Sequence, residues 1–354
     1  MSVIPVMRPQ LPRVDELTHY LKRIDDSRIY SNYGPLYEEL SARLAEYFGV
    51  PHDQILIVTN GTLALEGSIR TAETTQNSWV LPSWTFVATG HAVMSAGKSL
   101  MLGDISESTW ALKYSEIEPF QNVIYVAPFG MRPEIEGLGA HFTNGNVIID
   151  AASCFDSCRQ IGKKLAPNMM LMVSLHATKM VTTGEGGVLV GPADWIRRVR
   201  AWSNFGFQGS RIAHVLATNS KISEYQAAIG LASLDNWPID HLLWKAITEK
   251  TLHMLADHKL SAQSALHEDF LTSTCIAKFE SENDRNAAES ALNARGVETR
   301  RWWGNGLDQM PAFSSCLPLA NLDITRFTAS TTLGIPFYRD LDSRSLEIMG
   351  SCFS

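Results

Sequence analysis

Short apolar runs recur along the first half of the chain, and each closes on glycine, proline or a polar turn residue. They occupy residues 54–59, 79–81, 100–102, 122–127, 146–149, 169–173 and 188–190. Near-continuous hydrophobic strands are what a sheet covered on both faces requires. Segments with helical spacing lie between several of the runs. Strand and helix in alternation predict an α/β fold with a mostly parallel central sheet and helices on both faces. A chain of 354 residues has room for such a unit and a smaller second one. The large α/β unit, with an N-terminal helical segment, is placed at 1–235, and a small C-terminal α+β unit at 236–354.

Elsewhere the pattern is helical. Residues 10–30 put Leu17, Tyr20, Leu21 and Ile24 on one face, and residues 36–48 repeat the motif before Gly49 and Pro51 end it. A helix is expected at 195–202. Another spans about 223–255, with Pro238 as a kink or break. The tail reads as strand 272–279, helix 282–295 before Gly296, strand 297–303, and a short helix 344–349 capped by Ser343 or Asp342. Residues 203–220, rich in Gly, Asn and Ser, form a long loop of the kind that often carries function.

Charge and cysteine content narrow the partners. A net charge of −7 argues against a nucleic-acid backbone as the main ligand. No apolar run approaches the roughly 18 residues of a membrane span, and no basic, then apolar, leader opens the chain. Cysteines 154, 158, 275, 316 and 352 are odd in number and scattered, which suits a reducing cytoplasm. Cys154 and Cys158 share helical spacing but lack the further ligands of a zinc site, so no metal is expected.

The chemistry concentrates in Ser174-Leu175-His176-Ala177-Thr178-Lys179 and the following Thr183-Gly184-Glu185-Gly186-Gly187. A lysine between two core strands is costly to bury unless it is paired or made neutral. An imine to a carbonyl cofactor makes it neutral, and pyridoxal phosphate (PLP) is such a cofactor. The glycines fit a tight backbone path. From this segment alone, a surface lysine on a connecting loop explains the pattern as well. Gly61 and Thr62 follow an apolar run and open a helix, which makes a phosphate cradle or a plain turn with Thr62 as N-cap. Asp150 ends a strand, where open α/β sheets bind ligands; there it either holds a pyridine nitrogen protonated or caps a helix. Phe86, at another strand–helix junction, either stacks on a flat ring or belongs to the core. Tyr33 lies in a turn, Ser31-Asn32-Tyr33-Gly34-Pro35, beside a possible pocket.

Taken together and in order, these segments resemble the DegT–StrS sugar-nucleotide aminotransferases among the fold-type-I PLP enzymes. The matching stretches are Asn60-Gly61-Thr62-Leu63-Ala64-Leu65, Pro82-Ser83-Trp84-Thr85-Phe86-Val87-Ala88-Thr89, Asp150-Ala151-Ala152, the Lys179 block, Asn219-Ser220-Lys221 with its following helix start, and Gly334-Ile335-Pro336-Phe337-Tyr338. The resemblance covers about residues 28–340. It implies that Lys179 anchors PLP, passing through pyridoxamine phosphate, and that Asp150 partners the pyridine nitrogen. It further implies phosphate contacts from Gly61, Thr62 and Ser174, and ring stacking by Phe86. Asn219 would reach the phosphate of a neighbouring subunit, which implies a homodimer with shared sites, and Lys221 and Tyr33 would face substrate. The substrates implied are an amino acid, glutamate in most such enzymes, and a keto-sugar nucleotide. At the cofactor-binding position where the family usually has a His or Gln against the ring hydroxyl, this chain has Ser153, too short for that contact without a water, and the 300–306 segment lacks a customary histidine. A sugar dehydratase of the same fold and a non-catalytic PLP-binding regulator are the rival activities; the dehydratases carry histidine where this chain has Lys179.

Overall fold

A computed structural model of the chain describes residues 3–263, 265–267 and 270–353. In chain order, helices α1 (Val14–Ser27) and α2 (Pro35–Phe48) precede strand β1 (Ile55–Val58) and α3 (Gly61–Thr71). Then come β2 (Ser78–Pro82), α4 (Val87–Ser95), β3 (Ser99–Gly103), β4 (Asn122–Val126), α5 (Ile135–His141), β5 (Val147–Asp150), β6 (Met169–Ser174) and β7 (Gly187–Val190). Helices α6 (Ala193–Trp202) and α7 (Glu224–Asp257) follow. The C-terminal part carries β8 (Ser261–Ala262), β9 (Cys275–Lys278), α8 (Glu282–Ala294), β10 (Leu317–Pro318), α9 (Asp323–Thr331), β11 (Thr332–Ile335) and α10 (Ser343–Gly350).

The main sheet runs β1-β7-β6-β5-β4-β2-β3-β10. Only β7 is antiparallel to its neighbours, β1 and β6; the other pairs are parallel. The apolar runs are continuous because each strand feeds two cores. Ile55, Ile57, Ile149 and Leu171 join one cluster with Leu40, Leu44 and Leu231 of α2 and α7. Leu56, Val58, Ile148 and Met170 join the opposite cluster with Leu65, Ile69 and Val199 of α3 and α6. Two-residue periodicity thus sends alternate side chains to opposite faces, and both faces are dry.

Three expectations change. Residues 297–303 form no strand. Val297 bridges Ile4 and Arg300 bridges Gly334, each in isolation, and the chain then turns at 301–304. The β-branched and aromatic composition there serves packing instead of a ladder. Pro238 does not end its helix: α7 is continuous over 34 residues, because a proline forfeits only one backbone bond and tertiary packing on both sides can hold the helix. The C-terminal part also adds an unforeseen strand, β10, to the edge of the large sheet beside β3. Two residues are too few for any periodicity to reveal, and Pro318 is tolerated at a sheet edge. A three-stranded sheet, β11-β9-β8, is built from the C-terminal segments alone. Among the described residues, no helix is long and apolar enough to cross a membrane.

Gly187 shows how closely the strands approach the turn after β1. It pairs with both Val58 and Ser174, and a Cβ there would lie 2.7 Å from the Asn60 carbonyl carbon and 2.8 Å from the Gly61 nitrogen. Backbone cannot give way as a flexible side chain can. Gly187→Ala should therefore destabilise by about 2 kcal/mol, read as a lower denaturation midpoint.

Candidate active site

Between the carboxyl ends of the parallel strands and the C-terminal segments lies a cavity of ≈ 500 Å³. Its floor is the loop joining β6 to β7, and that loop is tied to itself. Leu175 N–H donates to Gly186 O at 2.8 Å, Thr183 N–H to Leu175 O at 3.0 Å, and the Thr182 hydroxyl to Leu175 O at 2.9 Å. Of its glycines, only Gly184 needs the left-handed region, with φ at 80°; Gly186 and Gly187 are there for close approach. So braced, the loop turns the part-buried Lys179 into the cavity, where its Nζ donates to Ser153 Oγ at 2.8 Å. Loss of water around the amine lowers its pKa, while Asp150 and then Cys154 pull it back up.

Asp150 is the last residue of β5 and is 6% exposed. It caps no helix; the chain after it turns, and Asp150 Oδ1 accepts from the Ala152 N–H at 3.2 Å. Its Oδ2 accepts from the Thr89 hydroxyl at 2.7 Å, and Thr89 Oγ1 in turn lies 3.2 Å from Thr85 Oγ1. Burial pushes the Asp150 pKa above the usual carboxylate range, against the pull of those hydrogen bonds and of Lys179. Ser153 stands between the two charged groups in sequence and binds the lysine directly.

The other cavity residues arrive from several strand ends. Asn60, not Thr62, caps α3: its side chain accepts from the Leu63 N–H at 2.8 Å. Gly61 and Thr62 therefore occupy the first turn, where N–H groups have no intrahelical partner. Ser174, at the end of β6, also lines the cavity, as does Phe86, which is 56% exposed and so not a core aromatic. Lys179, Gly61, Thr62, Phe86, Asp150, Ser153 and Ser174 are thus brought to one cavity from positions up to 118 residues apart (179 − 61).

Three expected site residues lie elsewhere. Tyr33 packs under Arg200, whose guanidinium sits 4.0 Å from the ring centroid, and its hydroxyl is 3.3 Å from Ser203 Oγ. Lys221 Nζ donates to Asn219 Oδ1 at 2.6 Å and to Asn204 Oδ1 at 2.7 Å, and it lies 4.6 Å from the Phe205 ring centroid. None of Tyr33, Asn219 or Lys221 lines the cavity of its own chain. Thr89 ends the matching stretch that begins at Pro82, but sequence reasoning gave it no role, although its place three residues beyond Phe86, the N-cap of α4, was a usable signal. The same reasoning missed Phe129 and Trp303, which stack at 4.0 Å and form one wall. Nothing local links two aromatics 174 residues apart (303 − 129).

A folded-state pKa raised above the unfolded one means that the native state favours protonated Asp150. The associated stability is complete below the unfolded pKa and is lost as pH rises through the folded one, so the ionised carboxylate is a burden at neutral pH. Asp150→Asn should accordingly leave the melting temperature of the cofactor-free protein unchanged or raised. A fall of more than about 4 °C in a thermal melt would contradict this.

Residues 13–353 match the DegT/DnrJ/EryC1/StrS aminotransferase family. The chain is 25% identical to dTDP-4-amino-4,6-dideoxy-D-glucose transaminase of Shigella dysenteriae over 98% of this chain and 97% of that one. Its structure resembles that of DesI, crystallised in the presence of its TDP-sugar product, with a TM-score of 0.88, 27% identity, and coverage of 100% of this chain and 93% of that one. It also resembles a protein of Bacillus cereus ATCC 10987 described as a PLP-dependent aminotransferase, with a TM-score of 0.90, 25% identity, and coverage of 99% and 100%. The fold is that of the PLP-dependent aminotransferases, and the chain belongs to the DegT/DnrJ/EryC1/StrS aminotransferase family.

Proposed function

We propose that this chain uses PLP to move an amino group from an amino acid, glutamate as the expected donor, to the carbonyl of a keto-sugar nucleotide. The product would be an amino-deoxysugar for lipopolysaccharide or another polysaccharide. One observation carries the reading: the Lys179 amine, held at 2.8 Å by Ser153, shares a cavity with the buried Asp150 carboxylate. The sugar acceptor is supported by the likeness to the dTDP-sugar transaminase and to DesI.

The residues present fit the cofactor. An amine, a buried carboxylate, a helix first turn and an exposed aromatic ring converge on a space of ≈ 500 Å³. When bound, PLP supplies an aldehyde that condenses with amines and a pyridine ring that accepts an electron pair. Lys179 supplies the amine that anchors it. Asp150, fixed by Thr89 and the Ala152 amide, would keep a proton on the pyridine nitrogen. The first-turn amides of Gly61 and Thr62, with the Ser174 hydroxyl, bind the phosphate. Phe86, exposed in the cavity, would cover one face of the ring. With the cofactor bound and its own amine released, Lys179 would take the proton from the donor's α-carbon and hand it on for the amino transfer; the lowered pKa leaves its neutral form accessible for that work. Ser153 orients Lys179 Nζ in place of a direct contact with the ring hydroxyl.

A homodimer with shared sites accounts for Asn219 and Lys221, which sit outside their own cavity beside a loop whose Ile212, Val215 and Leu216 are 64%, 47% and 90% exposed. Substrate contact by Tyr33 would likewise have to involve another surface than the cavity of its own chain. A cytoplasmic location is supported by five free cysteines.

The purified holoenzyme should show a visible absorbance band that glutamate bleaches and a keto-sugar nucleotide restores. Lys179→Ala should abolish both the turnover and the lysine-bound form of the band. A band that no amino acid bleaches would sink the proposal. Mixing Lys179→Ala with Asn219→Ala subunits should restore part of the activity that each lacks alone, since some hybrid sites then hold both native residues. No recovery would count against shared sites.

A further inference from the structure

Among the described residues, two carboxylates face the cavity, and only one of them is fully committed. Asp150 has both oxygens bonded, to the Thr89 hydroxyl and the Ala152 amide. Glu185, in the loop after Lys179, has a single neighbour: its Oε1 lies 3.4 Å from His176 Nε2. Among the described residues, no other group donates to that carboxylate. The Glu185 and His176 side chains are 56% and 44% exposed, so they stand where the cavity opens to solvent.

The backbone fixes this pair in advance of any ligand. The Thr178 N–H donates to His176 Nδ1 at 3.3 Å, and Thr178 Oγ1 lies 3.0 Å from the same nitrogen. An amide N–H can only donate, so Nδ1 must accept. In the neutral ring the proton therefore sits on Nε2, toward Glu185. The Glu185 carbonyl accepts from the Thr183 hydroxyl at 2.7 Å and from the Gln226 side chain of α7 at 2.9 Å. The loop that presents Lys179 thus sets both members of the pair, one on each side of the lysine in sequence.

We infer that Glu185 is a specificity-determining residue that accepts hydrogen bonds from ring hydroxyls of the sugar acceptor, with His176 as the residue that positions it. This rests on the reading of the chain as a sugar-nucleotide aminotransferase and deepens it. A carboxylate attracts hydrogen-bond donors and repels anions. The diphosphate of the acceptor and the carboxylates of the amino donor are anions, and the donor's amine must go to the cofactor's aldehyde carbon. Hydroxyls of the sugar ring are the donors that remain. An ionised carboxylate can take two neighbouring hydroxyls at once, and such charge-assisted bonds are stronger than neutral ones. The hydroxyls it holds set the rotation of the sugar in the cavity, and with it the ring carbon that meets the amine.

The test titrates holoenzyme by calorimetry with dTDP-glucose against dTDP, and with GDP-mannose against GDP. Glu185→Gln should weaken the tighter-binding sugar nucleotide about tenfold and change its bare diphosphate by no more than about threefold. His176→Phe should weaken the sugar nucleotide about threefold, and His176→Gln, which keeps a donor, should lose less. In steady state, Glu185→Gln should raise the KM for a keto-sugar nucleotide far more than it lowers kcat, while glutamate bleaches its absorbance band as in the wild type. An unchanged melting temperature and band certify the fold of the variants. Wild-type enzyme that binds neither sugar nucleotide would overturn the inference, as would sugar-nucleotide affinity indifferent to Glu185. Bleaching by glutamate that falls as far as sugar binding would place Glu185 with the donor and overturn it too. If sugar binding depends on Glu185 but no amino acid bleaches the wild-type band, the transfer reaction fails and the sugar site stands.

Discussion

An amine and a carboxylate, each short of water, face one another's charge at the mouth of a parallel sheet, and much of the architecture exists to hold them there. Burial alone would neutralise both: it lowers the pKa of Lys179 and raises that of Asp150. Each charge partly offsets the penalty on the other, and Thr89, Ala152 and Ser153 supply the hydrogen bonds that water would otherwise give. Such a pair stores poise for chemistry at some cost to stability. Cys154, buried beneath it, is pushed up to about 12 and stays a thiol.

The sheet makes this placement possible. Parallel strands bring their carboxyl ends to one rim, so Asp150 from β5, Ser174 from β6 and the Lys179 loop meet without long excursions. The single reversed strand, β7, serves the same end. It carries the chain straight back from the lysine loop between β6 and β1, which presses Gly187 against the Asn60–Gly61 turn. Position in the cavity is thereby set by backbone contacts, the least compliant kind, and not by side chains that could relax.

The C-terminal segments close the cavity from the other side. Arg300, Trp302 and Trp303 come in on a chain that bridges β11 at Gly334, and Leu307 N–H reaches back to Ser83 O at 2.8 Å, beside the Phe86 turn. The small sheet and the large one therefore share the work of enclosure: the large one brings Asp150, Ser174 and Lys179 to the cavity, and the C-terminal segments present an aromatic wall beside Arg300. The proposed transfer would need such economy, since one space would accept two unlike substrates in turn.

How much of this could be read from residues depended on distance along the chain. Apart from β10, the strands of the main sheet were legible because dry faces on both sides demand uninterrupted apolar runs, and the lysine block only in company with the Gly61, Phe86 and Asp150 segments, since alone a surface lysine on a loop explains it as well. Asp150 and Phe86 could be named but not settled, because helix capping and core packing use the same residues. Thr89 as the aspartate's partner, Ser153 as the lysine's, and the stacked Phe129 and Trp303 depended on tertiary structure. So did the failure of residues 297–303 to pair as a strand and the unbroken passage of α7 through Pro238. Local composition determined which segments become helix or strand and which residue types could perform the chemistry. Only the folded chain decided which side chains face each other, because hydrogen bonds and burial act between atoms close in space, whatever their separation in sequence.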